Sequence, residues 1–192
     1  MVVTEVKNMD NHRIFKNLSD QIKEVLLKLG FEKVPMTLYY PVKSLKNLLY
    51  DDDKYVDTSK VIEDLNAVFA DEDSPYGDVI ATALADGRIS IEIPIKGVEY
   101  VYGMPTAPFL EGIVELFASN PHLSIDDIKD LFEHFGDFRC EKMPQGSDFD
   151  YYMYFTDSRV DEYYYCFKEE MNHMIYHRFT EKDFDDLIDK IG

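Results

Sequence analysis

Cysteine and histidine side chains in the C-terminal part of the chain are the residues best suited to chemistry. Cys166, His173 and His177 follow one another closely, and Cys140 lies in a neighbouring candidate strand. Thiolate and imidazole are common zinc ligands, and even spacing places both histidines on one face of a strand. However, residues four apart on a strand are separated by roughly 13 Å, too far to share one ion without a bend. We therefore predict buried cysteines and edge histidines, with a small enzyme or metal-binding protein centred on Cys166, His173 and His177 as the alternative.

Other motifs for catalysis or ligand binding are missing from the sequence. The chain has no Gly-x-Ser-x-Gly elbow, no phosphate-binding Gly-Lys-Ser or Gly-Lys-Thr, and no dinucleotide fingerprint. Cys166 lies between Tyr165 and Phe167, an apolar setting that raises the pKa of a thiol and makes it inert. The acidic runs at residues 51–53 and 71–73 lack the ligands and the glycine of a calcium loop. The sequence predicts no catalytic residue and no cofactor, and it favours a non-catalytic protein over an enzyme.

The stretch of residues 149–179 is rich in aromatic side chains. Its three short runs of aromatic and β-branched residues, separated by polar residues, predict an antiparallel β-meander. Alternation along the strands places one set of side chains on a first face: Phe149, Tyr151, Met153, Phe155, Tyr163, Tyr165 and Phe167. Another set lies on a second face: Tyr152, Tyr154, Tyr164, Cys166 and Tyr176.

Tyrosines on the second face suit a recognition surface, because each ring has an apolar body and a polar tip. The helices of the chain can cover one face of the meander, which leaves the second face for a partner. We predict a binding surface made of six side chains: Tyr152, Tyr154, Tyr164, Tyr176, His177 and Arg178. The alternative is that a helix from the first half, such as the one predicted over residues 14–29, covers this face as well.

Apolar residues at helical spacing predict the helices that must position the meander. These helices fall at residues 14–29, 42–49, 61–69, 79–84, 109–117, 125–135 and 184–191. Residues 36–40 and 138–143 are predicted to be extended. The alternating isoleucines of residues 89–95, followed by a Lys-Gly pair, predict a hairpin whose second strand spans residues 98–102. Helices before, between and after antiparallel strands make the fold class α+β, with helices packed on a meander and a separate hairpin.

Gly103, Pro105 and Pro108 mark the one linker that the composition indicates. We expect either a single globular domain of residues 1–192 or two subdomains, 1–103 and 104–192. A weak internal repeat at a spacing of 50 residues pairs Ser74 with Ser124 and Pro94 with Pro144. It suggests two helix-helix-hairpin units, the layout of a winged helix, and makes a winged-helix transcription regulator a second alternative.

Charge argues against a nucleic-acid partner. Lysine and arginine number 20 against 38 aspartate and glutamate, which gives a formal net charge of −18 that repels a polyanion. A protein partner or a homo-oligomer is the expected assembly. No segment has the length and hydropathy of a membrane helix or the features of a signal peptide, so we predict a cytoplasmic protein with reduced cysteines.

Short motifs spread along the chain resemble those of a known protein family. KLGF at residues 28–31, LYYP at 38–41, SL at 44–45, LL at 48–49 and YHRFT at 176–180 resemble the pattern of a small bacterial family of proteins of unknown function. The resemblance implies a soluble bacterial protein and supplies no activity, ligand or catalytic residue. We therefore predict an interaction or regulatory module that acts through an aromatic sheet face and an acidic surface.

Overall fold

The computed structural model describes residues 11–52, 56–70 and 72–192. Over these residues it has seven helices and two antiparallel sheets, which confirms the predicted α+β class. The chain divides into two compact units, Met1–Pro105 and Thr106–Gly192. The boundary lies within the segment of Gly103, Pro105 and Pro108 that breaks the periodic pattern of the sequence.

The first unit combines four helices with a three-stranded sheet over its described residues. Its elements are α1 (Asn11–Lys28), β1 (Met36–Pro41), α2 (Val42–Leu49), α3 (Thr58–Phe69), β2 (Ile80–Ala83), β3 (Arg88–Ile93) and α4 (Ile95–Tyr102). The strands are antiparallel in the order β1-β3-β2. A helix-helix-hairpin order is therefore present in α2, α3, β2 and β3.

Alternation along β3 builds the core of the first unit. Ile89, Ile91 and Ile93 are buried because they share one face of the strand, and they pack in one cluster with the apolar face of α1. On that helix Ile14, Leu18, Ile22 and Leu26 recur at helical spacing and are fully buried. The helix is followed by Gly30, whose φ of +63° suits a left-handed C-terminal cap.

Two predicted elements of the first unit are wrong. Residues 79–84, predicted as a helix, contain strand β2, which forms the real hairpin with β3. Residues 98–102, predicted as a strand, belong to helix α4. Gly97 is not a turn residue: a Cβ atom there would lie 2.6 Å from the backbone oxygen of Tyr76, so the glycine permits a close approach.

A helix-helix-hairpin order occurs in the second unit as well, but the residues that suggested the repeat do not correspond. Ser74 lies in a turn before β2, whereas Ser124 begins a helix. Pro94 is the N-cap of α4, whereas Pro144 lies in a loop of the second unit. The shared residue types therefore do not occupy equivalent places in the two units.

The second unit contains a four-stranded sheet and three helices. Its elements are α5 (Pro108–Ser119), α6 (Ile125–Phe135), β4 (Phe138–Lys142), β5 (Tyr151–Phe155), β6 (Tyr164–Glu170), β7 (His173–Phe179) and α7 (Glu181–Ile191). The strand order β4-β5-β6-β7 confirms the predicted meander. The predicted helix starts are confirmed as well, because Ser124 and Asp127 form a capping box and Thr180 accepts a hydrogen bond from the backbone NH of Asp183.

Helices cover both faces of this sheet. On the first face, the ring of Phe109 from α5 lies 4.7 Å from that of Phe155, and the ring of Phe132 from α6 lies 4.8 Å from the same ring. On the second face, Phe184 from α7 contacts Tyr152 and Tyr164, with ring centroids 4.8 Å and 4.5 Å away. The sheet therefore forms the middle layer of the second unit.

Candidate functional site

Three of the predicted site residues lie together on the second face. The rings of Tyr152, Tyr154 and Tyr164 stack in series, with planes 6° apart in the first pair and 21° apart in the second. All three side chains are half-buried. The helix that covers part of this face is α7 of the same unit, so Phe184 shields the cluster on one side and leaves the remainder to solvent.

The predicted face of Tyr176 is wrong. Strand pairing places it opposite Phe167 on the first face, where its ring lies 4.7 Å from Phe117 of α5. Arg178 also lies on the first face, opposite Tyr165, and its guanidinium lies 4.7 Å from the centre of the Tyr163 ring. Neither side chain shares a surface with the tyrosines of the second face.

His177 and Phe149 lie on the second face. His177 is opposite Cys166, as the strand pairing fixes. The ring of Phe149 lies 5.5 Å from His177 and 5.8 Å from Phe179, although alternation had assigned Phe149 to the first face. That assignment is wrong because Phe149 precedes β5, so the pleat of the strand does not determine its direction.

The cysteines and histidines do not converge into one centre. Cys140 is opposite Met153 on the first face, whereas Cys166 is fully buried on the second face, where burial raises the pKa of its thiol to about 12. His173 is the first residue of β7, and its ring stacks on His122 with centroids 6.3 Å apart. Among the residues that the structure describes, no group of three or more His, Cys, Asp or Glu side chains could hold a metal ion.

A groove on the second face joins the aromatic cluster to charged side chains, and we call it the acidic groove. It lies between the β4–β5 pair and α7 and has a volume of about 530 Å³. Its apolar lining comes from Pro144, Tyr152, Phe184 and Ile188. Its charged lining comes from Glu141, Lys142, Asp185 and Asp189. Of the predicted site residues, only Tyr152 lines this groove directly, while Tyr154 and Tyr164 stack behind it.

The carboxylates of the acidic groove differ in whether they have a hydrogen-bond partner. The hydroxyl of Tyr152 donates a 2.7 Å hydrogen bond to Glu141, and burial together with this contact raises the pKa of Tyr152 to about 12. Asp185 and Asp189 lie one turn apart on α7 and make no hydrogen bond or ion pair with any described residue. The groove thus offers two carboxylates that are free to bind a cation beside a neutral phenol.

The sequence prediction missed the acidic part of this groove. An aspartate pair at helical spacing in a helix with a strong apolar face is the available signal. Solvated helix faces carry the same pattern, so the pair alone does not distinguish a site from a soluble surface. What marks it here is the position of Phe184, which faces the sheet from the same turn as Asp185.

A larger groove of about 880 Å³ lies in the same unit and shares Lys142 with the acidic groove. It lies between the start of α6 and the β6–β7 turn, and it includes Leu123, Ile125, Tyr151, Met171 and Met174. Met171 is 89% exposed and has a φ of +50° in this turn. The groove also contains Lys142, Asp150 and Glu169. Charges of both signs give it no clear preference for one class of ligand.

Neither α3 nor α6, the second helix of each helix-helix-hairpin order, offers a basic surface for DNA. In a helix-turn-helix protein the second helix of the pair reads the major groove. In α3 the amine of Lys60 is paired with Asp64, and Glu63 lies on the next turn. In α6 the amine of Lys129 is paired with Asp126. These contacts leave both helix surfaces acidic or neutral and do not favour phosphate binding.

Comparison with known proteins identifies a family. The family described as "Domain of unknown function, E. rectale Gene description (DUF3877)" matches residues 11–188. This match confirms the resemblance to a bacterial family of unknown function. No curated protein and no solved structure matches the chain. Of the helices in the described part of the chain, none combines the length and the hydropathy needed to span a bilayer.

Proposed function

Because the chain belongs to this family, whose description assigns no activity, its role has to come from its own site, and we propose a protein-interaction module. In this proposal the acidic groove binds a basic segment of a partner protein. The observation that carries it is the placement of two unpaired carboxylates, Asp185 and Asp189, beside the exposed edge of an aromatic cluster.

The groove has the chemical features of a cation-binding surface. Aromatic rings attract cations through their π-faces, and nearby carboxylates add a direct electrostatic attraction. Three carboxylates, those of Glu141, Asp185 and Asp189, line the groove against the single amine of Lys142. The phenol of Tyr152 is neutral at physiological pH, as any tyrosine is, and its hydroxyl is bound to Glu141, where burial first and this hydrogen bond second raise its pKa to about 12.

The net charge of the chain supports the same class of partner. A formal charge of −18 attracts a basic protein at long range and repels nucleic acid. It also repels a second copy of the same chain, which makes a basic partner protein a better match than a homo-oligomer. The alternative centred on Cys166, His173 and His177 gains no support, because only His177 lies opposite Cys166, whereas His173 stacks on His122.

Binding of a labelled basic peptide to the full chain tests the proposal. The probe is a fluorescein-labelled peptide that alternates lysine and arginine with glycine, followed by fluorescence anisotropy. We expect binding that weakens as salt is added, and a double variant, Asp185→Asn with Asp189→Asn, that raises the Kd about fivefold to tenfold.

A matched double variant controls for the loss of charge. Glu111 and Glu115 are both exposed and lie one turn apart on α5, so Glu111→Gln with Glu115→Gln changes the net charge equally. This control is expected to change the Kd by less than about twofold. Equal weakening by the two double variants would mean non-specific attraction to an acidic protein. That result, or no binding by wild-type protein, contradicts the proposal.

The interaction is proposed to take place in the cytoplasm. Cys140 and Cys166 are both free thiols, and they lie on opposite faces of the sheet, so they cannot bond to each other without breaking the strand pairing. Free cysteines are typical of proteins from reducing compartments.

A further inference from the structure

We propose that His122 and His173 form a binding site for a divalent transition-metal ion of the class that imidazole prefers, which includes Zn²⁺, Cu²⁺ and Ni²⁺. The site lies in the second unit, where the loop between α5 and α6 meets the start of β7. Neither histidine lines the acidic groove. The inference is therefore independent of the proposed function.

The two imidazole rings are placed as a pair. Their centroids lie 6.3 Å apart, and their planes are within 12° of parallel. Bonds of about 2.0–2.1 Å from each ring to one zinc ion would put the centroids roughly 5–6 Å apart. Both side chains are exposed, so small rotations about their side-chain torsions bring the rings to that separation.

A hydrogen bond to the backbone fixes which nitrogen of His173 can bind the ion. Its Nδ1 lies 3.0 Å from the carbonyl oxygen of Pro121, the residue that precedes His122. Because a carbonyl oxygen only accepts, Nδ1 of the neutral ring carries the proton and Nε2 keeps its lone pair. Metal-binding histidines are held in this way, with the other ring nitrogen donating to a carbonyl or a carboxylate. This contact is independent of the ring pairing and points to the same kind of ligand.

The loop that carries His122 is fixed to the end of a helix. The backbone NH of His122 donates a 3.0 Å hydrogen bond to the side-chain oxygen of Asn120. Asn120 is in turn the C-cap of α5, where its backbone NH donates to the carbonyl of Leu116. Both histidines are therefore attached to regular elements, one to a helix end and one to a strand, which limits the cost of ordering them around an ion.

The surroundings of the pair determine which ions suit it. Strand pairing places Glu170 opposite His173, and the carboxylate of Glu170 lies 3.6 Å from the amine of Lys168. Glu170 thus adds negative charge near the site, while the two imidazoles supply the protein ligands and water completes the coordination. This donor set favours Cu²⁺ over Ni²⁺ and Zn²⁺, and it does not suit Mg²⁺ or Ca²⁺, which prefer oxygen ligands.

Calorimetric titration of the full chain with zinc chloride in excess magnesium chloride tests the inference. The magnesium occupies exposed carboxylates, so the heat that remains reports the imidazole site. We expect one zinc ion per chain, and either His122→Gln or His173→Gln should raise the Kd at least about tenfold. Two controls should keep the Kd within about twofold of wild type: His177→Gln, at an exposed histidine of the same strand, and Cys140→Ser, which removes the partly buried thiol.

The nitrogen that binds zinc is identified by a second measurement on wild-type protein. Proton–nitrogen NMR correlations of the imidazole rings are recorded with and without zinc. We expect Nε2 of His173 to shift on binding while Nδ1 keeps its proton. Zinc bound through Nδ1 of His173, or no saturable binding in excess magnesium, overturns the inference. Equal weakening by His177→Gln and His122→Gln overturns it as well, because the ion would then have no preferred pair of histidines.

Discussion

The ring of Phe184 stacks on the ring of Tyr164 with centroids 4.5 Å apart and planes 19° apart. The same phenyl group lies 4.8 Å from the ring of Tyr152. One side chain of α7 therefore covers two tyrosines of the sheet, and its helix carries the carboxylates of Asp185 and Asp189. Phe184 is thus the aromatic anchor of this helix, and Leu187, Ile188 and Ile191 pack against the same cluster.

Replacing that anchor should loosen the helix. Phe184 is 6% exposed, so Phe184→Ala removes a buried ring and leaves a cavity against Tyr152 and Tyr164. We expect the free energy of unfolding to fall by about 3–5 kcal/mol, measured by urea denaturation with tyrosine fluorescence as the signal. Lys190→Ala, at an exposed position of the same helix, should change it by no more than about 0.5 kcal/mol. A similar small change for both variants would contradict the anchoring role.

The two cysteines should differ sharply in reactivity. Cys166 is fully buried and burial raises the pKa of its thiol to about 12, whereas Cys140 is only partly buried and its pKa is raised by burial to a smaller extent. We expect Ellman's reagent to titrate one thiol in the native protein and both after denaturation. Cys140→Ser should show no reactive thiol until it unfolds. Reaction of both native thiols at one rate would contradict the assignment of Cys166 to the core.

The elements of the fold were predictable where hydrophobic periodicity and capping residues agree. The α6 helix has both a buried stripe and the Ser124–Asp127 capping box, and its start was predicted correctly. Residues 79–84 and 98–102 are short and apolar, and such segments do not distinguish a helix from a strand by pattern alone. There the outcome is decided by packing: β2 pairs with β3, and Gly97 lets α4 approach Tyr76.

The candidate site was predictable only in part, and for a related reason. Alternation placed Tyr152, Tyr154 and Tyr164 on one face correctly, because all three belong to well-formed strands or their ends. Tyr176 was misplaced because the β6–β7 turn sets its register, and Met171 and Asn172 lack the Asn-Gly signal usual for a turn with two positive φ angles. The position of α7 over the sheet arises from tertiary packing, which no local pattern specifies.

Gly97 should tolerate no side chain. An added Cβ would lie 2.6 Å from the backbone oxygen of Tyr76 and 2.9 Å from the side chain of Ile93. Gly97→Ala is therefore expected to lower the free energy of unfolding by about 1–3 kcal/mol, measured by urea denaturation. Gly103→Ala is the matched control, since its Cβ would meet nothing closer than 3.5 Å and its φ of −70° suits alanine. A neutral or stabilising Gly97→Ala would show that α4 packs less closely than the structure has it.

The hydroxyl of Tyr152 should make the free energy of unfolding fall at alkaline pH. Its pKa is raised from 10.0 to about 12 by burial first and by the hydrogen bond to Glu141 second. The folded state holds this proton more tightly than the unfolded state. The contribution of the Tyr152 hydroxyl to the free energy of unfolding is therefore complete below pH 10 and is lost as the pH rises through about 12.

Tyr152→Phe keeps the ring and removes the titrating group, which isolates this contribution. We expect the urea midpoint of wild-type protein to fall more steeply than that of Tyr152→Phe as the pH is raised from 10 toward 12. Tyr39→Phe, at a ring that is 56% exposed, should retain the wild-type slope. Parallel curves for wild-type protein and Tyr152→Phe would mean that the phenol is not held by Glu141.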